Sequence, residues 1–117
     1  MIKGKQQRRF DRKRVQTGAP PTAPRVTVTS VTALAPASVR VEFSGPVMIG
    51  GNGLPTDWTF GTGERQILSI TSGTGTTWTF LTNGTVAASQ DYDIGGNDPA
   101  ARTSSGGYVS SAAGTMV

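Results

Sequence analysis

Ser38 to Val47, S-V-R-V-E-F-S-G-P-V, is the stretch that most narrows what this chain can fold into. Val39, Val41 and Phe43 occupy every second position, with Arg40 and Glu42 between them. That is the pattern of a strand with one apolar and one charged face. Gly45 and Pro46 end it, because proline donates no ladder hydrogen bond and glycine permits a sharp change of direction. The recipe recurs downstream. Val26, Val28 and then Val31 make a first strand, with Thr27 and Thr29 on the opposite face; Trp58 and Phe60 flank Thr59; Gln66 to Thr71 forms a fourth run. Trp78 and Phe80 alternate with threonine in Thr76 to Leu81, and Tyr92 and Ile94 alternate with Asp91 and Asp93 in Gln90 to Ile94. Tyr108 and Val109, with Thr115 to Val117 as a further candidate, supply a last strand. The connections are rich in Gly, Asn, Asp and Pro, including V-M-I-G-G-N-G-L-P, S-G-T-G, N-G and the long polar G-G-N-D-P-A-A-R-T-S-S-G-G. No stretch repeats apolar residues with helical spacing. The expectation is an all-β sandwich of about seven short strands, with Val39, Val41, Phe43, Trp58, Phe60, Trp78, Phe80, Tyr92 and Ile94 in its core.

Charge divides the chain in two. Residues 1–14 carry Lys3, Lys5, Arg8, Arg9, Arg12, Lys13 and Arg14 against Asp11 alone, a net +6. Residues 15–117 carry Arg25, Arg40, Arg65 and Arg102 against Glu42, Asp57, Glu64, Asp91, Asp93 and Asp98, a net −2. The overall +4 therefore describes neither part. Residues 1–17 read as a basic arm with too few apolar groups (Ile2, Phe10, Val15) to order by itself. Residues 18–24, G-A-P-P-T-A-P, read as a proline-rich spacer, and residues 25–117 as the folded domain. At 117 residues the chain is one domain's worth. The basic start is followed by no apolar h-region and no membrane span, so the chain is expected to act without export and without a membrane.

These phrases, taken in order, resemble the immunoglobulin-like (Ig-like) modules of bacterial surface and phage proteins. V-R-V-E-F-S-G-P-V precedes a loop; W-T-F, I-L-S-I-T-S-G-T-G-T-T-W-T-F and Q-D-Y-D-I follow, and G-G-N-D-P-A-A-R-T-S-S-G-G looks like the penultimate loop. The resemblance covers about residues 25–117. It implies a Greek-key Ig-like sandwich and no particular activity. The chain departs from the pattern at Gln90, where a glycine is common, and in its basic arm. A free-standing module of this kind with such an arm resembles a small tailed-phage structural protein of the decoration type.

The chain has neither Cys nor His. This excludes disulfides, thiolate chemistry, a Ser-His-Asp triad and an ordinary zinc site. Asp91 and Asp93 share a strand face and are the nearest thing to a carboxylate pair. With Asn97 and Asp98 they also offer hard oxygen ligands, but not at the spacing of an EF-hand loop, and Asp98-Pro99 reads as a turn. The glycine stretches lack a P-loop lysine and open no helix. No catalytic residue, cofactor or metal is expected.

What remains is a structural role. The expected function is that of a virion component assembled in the host cytoplasm, a capsid decoration or minor virion protein. Its partners would be the major capsid protein or another virion protein and further copies of itself, held through the arm. Two alternatives carry different consequences. The arm's seven cations could contact nucleic acid nonspecifically. Alternatively, Trp58, Tyr92 or Tyr108, if exposed, could stack on a carbohydrate at a host-binding tip.

Overall fold

The computed structural model describes residues 25–51, 53–73 and 75–117; the arm and the spacer lie outside them. The described chain is all-β, with no helix. Nine strands follow in order: β1 (Val28–Leu34), β2 (Ser38–Phe43), β3 (Val47–Ile49), β4 (Trp58–Phe60), β5 (Ile67–Gly73), β6 (Thr77–Thr82), β7 (Asp91–Ile94), β8 (Ala101–Thr103) and β9 (Ala112–Thr115). They form a four-stranded sheet in the order β1-β2-β6-β5, a three-stranded sheet in the order β9-β7-β4, and a separate β3-β8 pair. All these pairings are antiparallel.

The period-2 pattern decides which way each sheet faces. In β2, Val39, Val41 and Phe43 are buried while Ser38, Arg40 and Glu42 lie on the other face. Val39 pairs with Phe80 and Val41 with Trp78, so their side chains fall in the same inner rows. On the second sheet Trp58, Ile94 and Ala112 make one inner row. The two inner faces meet in one core. Trp58 of β4 sits 6.3 Å from Phe80 of β6, edge to face, and 6.0 Å from Phe43 of β2.

Two strands carry apolar residues three apart, which strict alternation would put on opposite faces. β1 shifts register between Val28 and Ser30, and β5 shifts between Ile67 and Ser69 and again between Ile70 and Ser72. Each extra residue turns the next apolar side chain back inward. Val28 and Val31, and likewise Ile67 and Ile70, therefore all contribute to the core.

The edges of β1 and the chain's end close on each other. Val117 N–H donates to Val31 O at 3.0 Å, and Ala33 N–H donates to Val117 O at 2.9 Å. Val26 forms a parallel bridge with Val109.

Three differences from the expected strand plan have physical reasons. Among the described residues nine strands are present rather than about seven, because β3 and β8 pair within stretches that read as loops. Val47, Ile49, Ala101 and Thr103 are buried by that pairing. The last strand is Ala112–Thr115; Tyr108 and Val109 make only isolated bridges. Of the expected core, Val39, Val41, Phe43, Trp58, Phe60, Phe80 and Ile94 are buried, but Trp78 and Tyr92 are half-buried. Trp78 lies across Gly73, its ring stacked near Phe80 and its Nε1–H donating to Gly75 O at 3.0 Å, at the end of the sheet. Tyr92 lies along Gly114, its ring reaching the sheet margin.

Candidate interaction surfaces

The outer face of the β9-β7-β4 sheet carries a run of acidic and hydroxyl side chains. Pairing aligns Ala113, Asp93 and Thr59 in one row; Thr115 and Asp91 make the next. That second row continues to Gly61, whose N–H donates to Asp91 O at 2.8 Å. Beyond β4 the chain turns back at once. Phe60 and Arg65 exchange both backbone hydrogen bonds, at 2.9 and 2.8 Å, and Glu64 N–H closes on Gly61 O. Gly61 and Glu64 both take positive φ in that turn. The turn brings Thr62 and Glu64 to the margin of the sheet face.

The result is an open groove of about 720 Å³ lined by Thr59, Thr62, Glu64, Asp91, Asp93 and Thr115, with Gly61, Tyr92, Ala113 and Gly114. Among the described residues three carboxylates line it and no basic side chain does. Asp91 and Asp93 are exposed, as the outward half of an amphipathic strand should be. Thr115 Oγ1 lies 3.5 Å from Asp91 Oδ1.

A second acidic feature joins two loops. Asp57, before β4, lies near Asp98, after β7. A protonated Asp57 donates a hydrogen bond to the Asp98 carboxylate, which raises the Asp57 pKa above the usual 3.8. Partial burial and the negative charges of Asp98 and Asp93 push the same way. The Asp98 side chain also accepts from Ala100 N–H at 2.9 Å.

The sign follows from linkage. A raised pKa means that the folded state binds this proton more tightly than the unfolded state does. Stability from this group is therefore full below pH 3.8 and falls as pH rises through the folded pKa. Asp57→Asn should remove that fall. Thermal melts of the variant and parent are expected to coincide near pH 3 and to separate above pH 4, with the variant higher. Coincident melts at neutral pH would show that the carboxylates do not interact.

The four hard oxygen ligands Asp91, Asp93, Asn97 and Asp98 fall in two places. Asp91 and Asp93 stand on the sheet face, while Asn97 and Asp98 belong to the following loop. Among the described residues no group of three or more Asp, Glu, His or Cys is placed to hold a metal. Of the aromatics named for carbohydrate stacking, Trp58 is buried, and Tyr92 and Tyr108 are half-buried. The Arg102 guanidinium lies 4.3 Å over the Tyr108 ring. The basic residues Lys3, Lys5, Arg8, Arg9, Arg12, Lys13 and Arg14 lie outside the described residues.

One further surface was not singled out in the sequence. β5 is the last strand of its sheet, and Leu68, Ser69, Thr71, Ser72 and Gly73 are exposed along it. It carries no charge and no proline, the usual protections of an edge, although its two register shifts interrupt the free ladder.

No protein-family model matches the chain, and no curated protein matches it in sequence. Among solved structures it is similar to the N-terminal part of the bacterial S-layer protein SbsC, with a TM-score of 0.54 and 21% identity. The match covers 80% of this chain but only 24% of that one. At that identity the likeness concerns the fold alone.

Proposed function

We propose that this chain is a structural protein of a virus particle, a capsid decoration or minor virion component, built as an Ig-like Greek-key sandwich and tethered by its basic arm. The strand order supports the fold part of this reading. With the short β3 and β8 set aside, the orders β1-β2-β6-β5 and β4-β7-β9 correspond to those of the ABED and CFG sheets of an immunoglobulin domain, which favours this reading. The role rests on one observation above the others: a +6 segment is joined to a −2 domain that has an acidic sheet face. A chain so divided attracts acidic neighbours at one end and basic neighbours at the other, which suits repeated copies on a lattice. The uncharged edge of β5 offers a second route, strand addition to a neighbouring sheet. The solved neighbour is part of a bacterial S-layer protein by title, and its similarity bears on the fold alone.

The arm's cations also favour a second reading, nonspecific binding of nucleic acid. One experiment separates the two. Full-length protein and protein lacking residues 1–17 are compared for binding to duplex DNA across a salt series, beside sedimentation and incorporation into particles. The structural reading expects weak DNA binding, discrete self-association and arm-dependent incorporation. Tight arm-dependent DNA binding with a steep salt slope would transfer the arm to the genome. Incorporation unchanged without the arm would end the tether reading.

A further inference from the structure

We infer that the acidic groove on the outer face of the β9-β7-β4 sheet receives the basic arm, residues 3–14, of a second copy of this chain. This deepens the structural reading above and rests on it.

Charge complementarity carries the argument. Glu64, Asp91 and Asp93 line the groove without a basic side chain among its lining residues. The arm holds seven of the chain's eleven basic residues. None of the four arginines of the described domain lines the groove, and three of them are held elsewhere. Arg40 pairs with Glu42 at 3.5 Å, and Arg102 donates to Gly107 O and Gly106 O and covers Tyr108. Arg65 lies against Gly63 and Gly84.

Spacing agrees with charge. Asp91 and Asp93 are two residues apart on one strand face, about 6.6 Å along the strand. Lys3 and Lys5, and again Arg12 and Arg14, are two residues apart in sequence. An extended segment would present either pair at the same interval as the carboxylates. Small groups, Gly61, Ala113 and Gly114, stand beside the threonines in the lining of this open groove, so a backbone can approach closely there.

The spacer favours a second copy over the chain's own arm. The described chain begins at Arg25, beside the Val26 bridge to Val109, near the start of β9. The groove carboxylates lie along the same small sheet. Seven residues, three of them proline, separate the arm from Arg25, a length that would reach about 22 Å if extended. That reach suits a neighbour.

The test is sedimentation of the full chain over a concentration series at low and moderate salt. Three changed proteins accompany it: a Glu64→Gln, Asp91→Asn, Asp93→Asn triple variant, a chain lacking residues 1–17, and a charge exchange combining Asp91→Lys and Asp93→Lys with Arg12→Glu and Arg14→Glu. The parent should self-associate, less so as salt rises. The triple variant and the truncated chain should need at least about tenfold more protein to associate, and the charge exchange should recover association. The triple variant keeps backbone pairing, and circular dichroism matching the parent verifies its fold. Association of the triple variant equal to the parent, with loss only in the truncated chain, would overturn the groove as the dock while leaving the tether reading intact. A full chain that stays monomeric while a peptide of residues 1–17 competes for its groove would assign the arm to its own domain and overturn the second-copy occupant. Particle incorporation that ignores the arm would instead strike the structural reading itself.

Discussion

Trp58→Ala is expected to cost about 3–5 kcal/mol of unfolding free energy, the largest loss from any single truncation in this domain. The indole is fully buried on a strand of only three residues. It spans the gap between the two sheets, edge-on to Phe80 and tilted against Phe43. Its Nε1–H donates to Gly95 O at 3.1 Å, tying β4 to the end of β7 beyond the paired residues Trp58 and Ile94. Alanine removes the ring, leaves a cavity that the flanking rings cannot close, and strips a partner from the Gly95 carbonyl. Domains of this size have about 5–15 kcal/mol in total, so the variant should sit near the edge of folding. Urea titration followed by far-ultraviolet circular dichroism measures the loss, because it does not depend on the deleted fluorophore. A loss under about 1 kcal/mol would mean that the two inner faces do not share a core at Trp58.

The two W-T-F tripeptides show how far local pattern reaches in this chain. Trp58-Thr59-Phe60 and Trp78-Thr79-Phe80 are identical in sequence, and each is a strand segment with both rings on one face. Their burial differs because their cross-strand partners differ. Trp58 stands opposite Ile94, whereas Trp78 stands opposite Gly73 and Val41. A glycine opposite lets the second indole lie down over backbone instead of pointing into the core, and no window around residue 78 carries that information. The short strands β3 and β8 pose the same problem. Residues 47–49 and 101–103 pair across more than fifty positions, and each is flanked by the Gly, Asn and Ser that mark loops.

By contrast, the Ser38–Phe43 strand and the inward set Val39, Val41 and Phe43 follow directly from alternation. The acidic groove was half legible. Asp91 and Asp93 announce themselves as one face of a strand, but Glu64, Thr59 and Thr115 join them only through sheet order. Asp57 and Asp98 are likewise brought together by topology across two loops.

Gly73 supplies the last and most discriminating expectation. A Cβ built there would lie 2.3–2.6 Å from three ring atoms of Trp78, well inside contact distance. Gly73 does not take positive φ, so alanine strains nothing in its own backbone. The cost of Gly73→Ala must come from displacing the indole. That displacement disturbs the ring's stacking near Phe80 and its hydrogen bond to Gly75 O. Overpacking of this kind costs about 1–3 kcal/mol. Trp78→Ala alone should cost less than the 3–5 kcal/mol typical of a buried tryptophan, because the ring is half-buried. In the Trp78→Ala background the clash has no second party. There Gly73→Ala should be neutral or slightly stabilising, since alanine restricts the unfolded chain more than glycine does. The cycle is therefore expected to show coupling of at least about 1 kcal/mol, with the double variant more stable than the sum of the singles. Additive losses would mean that alanine at residue 73 harms the β5 edge itself, and that the indole does not rest where Gly73 leaves room for it.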